Sequence, residues 1–359
     1  MKRRNRYPWA STLAIVGVAL AGSQCTPSAP QRSTGGAVQS DVAVAALKTY
    51  VPPGDLDEYY MFSSGGHSGQ VYVYGLPSMR HLSTIPVFTP YPATGYGFDD
   101  ESKEMLGDLT WGDAHHPDIS QTKGELDGRW CFINENNTPR VARVDLSTFE
   151  TAEIMEIPNA GGNHSSAFVT ENTEYVVAGT RFSVPIPQKD MPIADYKGKF
   201  RGSLSFLSVH PKSGEMDIAF QIRMPGFDYD LAHPGRGASN GWFFFTTYNT
   251  EEASSLMEVN SSQKDKDFIA AVNWKKAEEY LKAGKGKKER AHYAHNVYDE
   301  RTHTAKTTWK EEVTVLDSAE LPGLVYFIPT PKSPHGCDVT PDGEYIIGSG
   351  KLAATITAH

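Results

Sequence analysis

Trp130-Cys-Phe-Ile-Asn-Glu-Asn-Asn-Thr-Pro-Arg-Val-Ala-Arg-Val-Asp-Leu-Ser-Thr-Phe149 holds two short runs rich in β-branched and aromatic residues, Trp130–Ile133 and Val141–Asp145, separated by a polar connection. A pair of strands with turn residues on either side is the natural reading. Working outward, the same plan recurs in Gln70–Tyr74, Tyr175–Ala178, Ser203–Leu207, Trp242–Phe245, Phe268–Val272 and Tyr345–Ile347, with turns expected at Leu126-Asp-Gly-Arg129 and Pro341-Asp-Gly-Glu344. Equivalent strand starts at Trp130, Tyr175, Trp242 and Tyr345 keep a loose period, and the last interval reads as two repeats of ~40 to 50 residues. Trp130–Phe149 resembles the closing strands of a propeller blade. A sandwich would run out of strands too early, so an all-β fold of the β-propeller type is expected.

Composition narrows the class. With 39% hydrophobic and 21% charged residues, the 359-residue chain is neither disordered nor a coiled coil, and its 32 Gly and 23 Pro favour many turns. A formal net charge of -9 gives no attraction to nucleic acid. The cysteines, Cys25, Cys131 and Cys337, are too few for a disulfide scaffold or a zinc-thiolate centre.

Lys2, Arg3, Arg4 and Arg6 precede an apolar run from Ser11 to Gly22 that is too short to span a bilayer, so residues 1–24 read as a secretory signal peptide and the protein as exported to the periplasm. Cys25 stands where a lipoprotein acceptor would, a candidate lipid anchor, although Gln24 is a poor residue before it. Cleavage near Ala21–Ser23 without lipidation is the competing reading. Residues 25–55 are expected to be a flexible tether and residues 56–359 the propeller portion. One stretch, Trp274–Ala283, has helical spacing with Glu278 and Lys282 as an i,i+4 pair, and Gly284 stops it. The polar residues 284–322, with the basic run Lys285–Arg290, read as a solvated loop, or as a docking patch for an acidic redox partner.

Histidines carry the chemistry. Gly112-Asp-Ala-His-His-Pro117 sets His115 beside His116, and both can face one centre only if the backbone bends. His164 in Gly161-Gly-Asn-His-Ser-Ser166 and His335 in Ser333-Pro-His-Gly-Cys337 are each expected just before a strand, flanked by Gly or Pro. In a propeller such positions converge on the axis, and an imidazole-only set suits copper, iron or zinc. His67, His210 and His233 read as structural.

These motifs, with Asp127-Gly-Arg-Trp-Cys-Phe-Ile-Asn134, Arg140-Val-Ala-Arg143, Tyr248-Asn-Thr-Glu251 and Gly348-Ser-Gly-Lys-Leu352, resemble those of the nitrous oxide reductases, in family order from about residue 56 to the end. The leader resembles that of the branch exported by a general secretory signal. The resemblance implies a seven-bladed β-propeller, incomplete in this chain at about five blades. Its hub would hold a four-copper sulfide cluster on seven histidines, of which His115, His116, His164 and His335 match the first four. Asp113 matches a carboxylate that orients a ligand imidazole. Tyr248, Glu251, Met257 and Asp267 match calcium ligands, with Ser333 in place of a calcium-binding Asn.

The resemblance also implies a C-terminal cupredoxin domain with a dinuclear copper centre, absent from this chain, so that the chain is the N-terminal portion of a longer enzyme and inactive by itself. The implied oxidoreductase reaction is two-electron reduction of nitrous oxide to dinitrogen and water, the last step of denitrification, in a head-to-tail homodimer fed by a small cytochrome or cupredoxin. A propeller oxygenase with mononuclear iron on four histidines and a non-catalytic exported scaffold are the alternatives.

Overall fold

A computed structural model describes residues 41–107, 111–248, 267–293, 310–330, 334–350 and 354–359. The signal peptide and Cys25 lie outside the described residues. Asp41–Thr49, inside the segment expected as a tether, is a helix with no buried residue. Up to Lys48 it groups with the N-terminal unit, and Thr49–His359 form the second.

The second unit is built from five sheets that follow one another along the chain. The first holds β1 (Tyr59–Ser64), β2 (Gln70–Leu76) and β3 (His81–Pro86). The second is the meander β4 (Ala114–Thr122), β5 (Glu125–Glu135), β6 (Arg140–Asp145) and β7 (Glu150–Glu156). The third is built on β8 (Ser165–Val169), β9 (Tyr175–Gly179), β11 (Phe200–Val209) and β12 (Met216–Met224), with the short β10 (Val184–Pro185) against β11. The fourth uses β13 (Asp228–Pro234), β14 (Trp242–Tyr248) and β15 (Phe268–Asn273).

From β15 the chain leaves the fourth sheet through the helix Trp274–Lys282, lays β16 (Lys287–Arg290) and β17 (Glu312–Asp317) on the outer edge of the third sheet, and returns as β18 (Val325–Pro329) to complete the fourth. The fifth sheet is β19 (Pro334–Val339), β20 (Ile346–Gly350) and β21 (Ile356–Ala358).

These are the blades of an incomplete β-propeller, five among the described residues. The core confirms the stacking, because each apolar cluster lies between consecutive sheets. Val71, Val73 and Ile85 of the first meet Cys131, Ile133 and Val144 of the second, whose Trp130 and Phe132 point the other way onto Val169, Val176 and Leu207 of the third. Phe206 and Phe220 stack at 4.6 Å and face Phe243 and Phe245 of the fourth, whose Phe244 turns to Val339 of the fifth. A strand covered on both faces has no polar side to alternate with, which explains unbroken apolar runs such as Trp130–Ile133 and Trp242–Phe245.

Four sequence expectations change. The turn expected at Leu126–Arg129 lies inside β5, and the chain reverses at Lys123–Gly124, both at positive φ. The long interval from Trp242 to Tyr345 is one blade step lengthened by the excursion Trp274–Leu324, not two blades, and Lys287–Arg290 is a strand rather than a loop. Glu278 accepts from Tyr175 Oη at 3.0 Å, while the helix ion pair is Lys276–Glu279 at 2.6 Å.

Candidate metal centre

Innermost strands β4, β8, β13 and β19 all begin at the same end of the propeller, and each is bulged there. Register slips between Ala114 and Pro117, between Ser166 and Phe168, between Tyr229 and Ala232, and between Pro334 and Gly336. A bulge re-aims side chains that a regular strand would send to opposite faces. That is how adjacent His115 and His116 reach one side, their ring centroids 4.1 Å apart.

His164, just before β8, meets them: its Nε2 is 3.1 Å from His115 Nε2, and one ring nitrogen from each of the three residues lies within 4.8 Å of the others. The buried Asn134 of β5 fixes the two segments together. Its Oδ1 accepts from His116 N at 2.6 Å, and its Nδ2 donates to the carbonyls of Asn163 and His164. His335 lies in β19 itself, not before a strand, and is half exposed, with Nε2 3.7 Å from Asp230 Oδ2.

Two carboxylates missed in the sequence back this group. Asp228 and Asp230, spaced to share one side of β13, are buried, and Asp230 Oδ1 is 2.9 Å from His164 Nδ1, with Asp228 Oδ1 at 3.9 Å. The signal was available as Asp228-Tyr-Asp230, an i,i+2 acidic pair whose side chains a strand sends to one face. Asp113, expected to orient a ligand imidazole, accepts from Asn136 Nδ2 at 3.1 Å and stands 3.8 Å from the Nδ1 of exposed His67.

Electrostatics divides the histidines. Burial, reinforced by neighbouring imidazoles, holds His115 below its usual range and pushes His116 down to about 2, so both are neutral and ready to donate a lone pair. At His164 burial acts the same way, but Asp228 and Asp230 outweigh it and raise the group to about 9. The two Nε2 atoms are 3.1 Å apart, so any proton they share would have to leave for both to bind a metal.

The expected calcium set is described only in part. Glu251, Met257, Ser333 and the Tyr248 side chain lie outside the described residues. Tyr248 ends β14 opposite Asp228, and Asp267 is buried immediately before β15, its carbonyl accepting from Thr330 N at 3.1 Å.

No protein-family model matches the chain. Among solved structures it is similar to Kuenenia stuttgartiensis hydrazine synthase, with a TM-score of 0.49, 11% identity and coverage of 84% of this chain and 67% of that one. Among curated proteins it is 34% identical to the nitrous-oxide reductase of Pseudomonas fluorescens over 98% of this chain and 52% of that protein. It is 34% identical to the nitrous-oxide reductase of Stutzerimonas stutzeri over 86% of this chain and 45% of that protein. The chain spans about half the length of the curated relatives it matches. By sequence, along nearly its whole length, the chain is a relative of the nitrous-oxide reductases.

Proposed function

We propose that this chain is part of a nitrous oxide reductase and that His115, His116, His164 and His335 are four of the ligands of its copper–sulfide cluster. The convergence of three imidazoles on one point carries the reading, with the similarity to named reductases beside it. The donor set fits copper: the buried Nε2 of His116 has no hydrogen-bond partner, and among the described residues no thiolate competes, because Cys131 is fully buried and Cys337 is turned toward the carbonyls of Leu231 and Phe244.

When bound, the cluster would supply the two electrons that, with two protons, reduce nitrous oxide to dinitrogen and water. This chain's residues place and shield it. Asp230 holds His164 through Nδ1 and leaves Nε2 facing the centre, a carboxylate–imidazole pairing that also strengthens a ligand's basicity. Phe168 stacks on His116 at 6.0 Å and covers it. The same reading makes the protein an exported periplasmic enzyme, with Cys25 as a lipid attachment point. Calcium would sit at the Tyr248–Asp267 end of the fourth sheet, and a small cytochrome or cupredoxin would act as donor to a head-to-tail homodimer.

The test is anaerobic loading with copper(I) and sulfide, followed by metal analysis and visible spectroscopy. Copper with acid-labile sulfide, lost in His115→Ala and His164→Ala, is the expected result. Iron without copper or sulfide would refute the reading in favour of a mononuclear-iron oxygenase.

A further inference from the structure

His115 and His116 together stand opposite a single residue of β5, the second strand of their sheet, because Ala114 pairs with Glu135 and Pro117 with Ile133. That residue is Asn134. Two residues against one leave backbone groups without ladder partners, and side chains of β5 take them here. Asn134 Oδ1 accepts from His116 N at 2.6 Å, and Glu135 Oε1 accepts from Asp113 N at 3.0 Å. The fourth sheet repeats the device: Asp230 and Leu231 stand opposite Thr246 of its second strand, whose Oγ1 donates to Leu231 O at 3.2 Å.

Asn134 does more than fill its bulge. Side chains alternate along a strand, so Asn134 shares the face of Trp130 and Phe132, which looks onto the third sheet. There its Nδ2 donates to the carbonyls of Asn163 and His164. A fully buried amide thus bonds to the backbone of His116 in the second blade and of His164 at the entry to the third. Both of its N–H hydrogens have a carbonyl and its oxygen has an N–H. A carboxylate would bring no hydrogen to the two carbonyls, and a hydroxyl would bring one for both. Asn is disfavoured in strands and costly to bury unbonded, so its place after Trp130–Ile133 is accounted for by these three bonds.

We propose that Asn134 is the positioning residue of the histidine centre: by tying the His116 backbone to the His164 backbone it sets the gap between two blades, so that His115, His116 and His164 surround one point before any metal arrives. All three of its bonds go to backbone atoms, so it acts on the rings through the chain. The inference rests on the reading of these histidines as copper ligands.

The test compares anaerobic copper(I) affinity, by competition with a coloured chelator, in the metal-free 359-residue chain, in Asn134→Ala and in Glu153→Gln. Glu153→Gln is the structural control. It loosens the same two blades at their outer strands, where Glu153 Oε2 lies 3.2 Å from Arg143 Nε and accepts from Met216 N at 3.1 Å. Asn134→Ala should weaken copper(I) binding about ten- to a hundredfold, and Glu153→Gln by less than about twofold. Equal weakening in both variants, or wild-type affinity in Asn134→Ala, would overturn the proposal. Amide exchange in the metal-free wild type, followed by NMR, decides the matter even where Asn134→Ala does not fold: the His116 amide should be as protected as those of Phe132 and Ile133. Free exchange at His116 while β5 is protected would overturn the proposal. The two readings fail separately. A wild type that binds no copper(I) yet protects His116 keeps the anchor and sinks the copper reading, and copper(I) binding indifferent to Asn134 does the reverse.

Discussion

Neutralising Asp230 should release the proton on His164. Against the ordinary imidazole value of 6.5, a value of about 9 is a rise of about 2.5 units, or about 3 kcal/mol in favour of the charged ring. Burial opposes that rise, so the two carboxylates supply more than the net figure, and Asp230 at 2.9 Å is the nearer. Asp230→Asn leaves Asp228 at 3.9 Å and should lower the His164 pKa by about 1–3 units. The assay is NMR titration of the His164 ring in the metal-free protein, assigned by comparison with His164→Ala. The sign for stability follows: because the folded pKa is raised, the pair's contribution is full below about pH 6.5 and is lost as pH climbs through about 9. Denaturation midpoints of the wild-type protein should therefore fall more between pH 6.5 and 10 than those of Asp230→Asn. A His164 that titrates near 6.5 in the wild type, or is unmoved by the substitution, would falsify the assignment of Asp230 as its charge partner.

Three further outcomes are expected. Glu153→Gln breaks the buried pair with Arg143, whose Nε lies 3.2 Å from Glu153 Oε2, and should destabilise the fold by about 3–5 kcal/mol in urea titrations. Phe206→Ala removes a fully buried ring stacked on Phe220 and should cost about 3–5 kcal/mol by the same measurement. Gly343→Ala should lower the melting temperature clearly, since Gly343 has φ 77° and a β-carbon there would collide with the carbonyl oxygen of Arg236, whereas Gly54→Ala, at φ 93° with open space around it, should show only the backbone penalty.

Strand periodicity and the histidine motifs were readable because each expresses a local rule. Trp130, Tyr175, Trp242 and Tyr345 mark β5, β9, β14 and the start of β20, all second strands; the first three are covered on both sides and read as dense apolar runs. The innermost strands were harder to see. β13 and β19 face the hub and carry Asp228, Asp230, His335 and Gly336, so their composition looks like a loop. The excursion Trp274–Leu324 hid for a related reason: edge strand β16 is all charged, Lys-Lys-Glu-Arg, as edges that must not recruit another chain often are. Asp230 opposite His164 was beyond reach, since their pairing depends on how two blades stack and on no spacing within either.

That excursion changes how the propeller comes apart. Repeat folds tend to lose one unit at a time, because each unit touches only its neighbours. Here β17 runs parallel to β12 across Gln221–Arg223, Ser318 Oγ donates to Arg223 O at 2.7 Å, and Lys310 Nζ reaches Asp217 at 2.7 Å, so chain that belongs in sequence to the fourth blade is woven into the third. Neither blade can fray without unpicking the other. The two are expected to open as one cooperative unit, which contains His164 on one blade and Asp228 and Asp230 on the other, so thermal opening that spares this unit would leave the carboxylate–imidazole geometry intact.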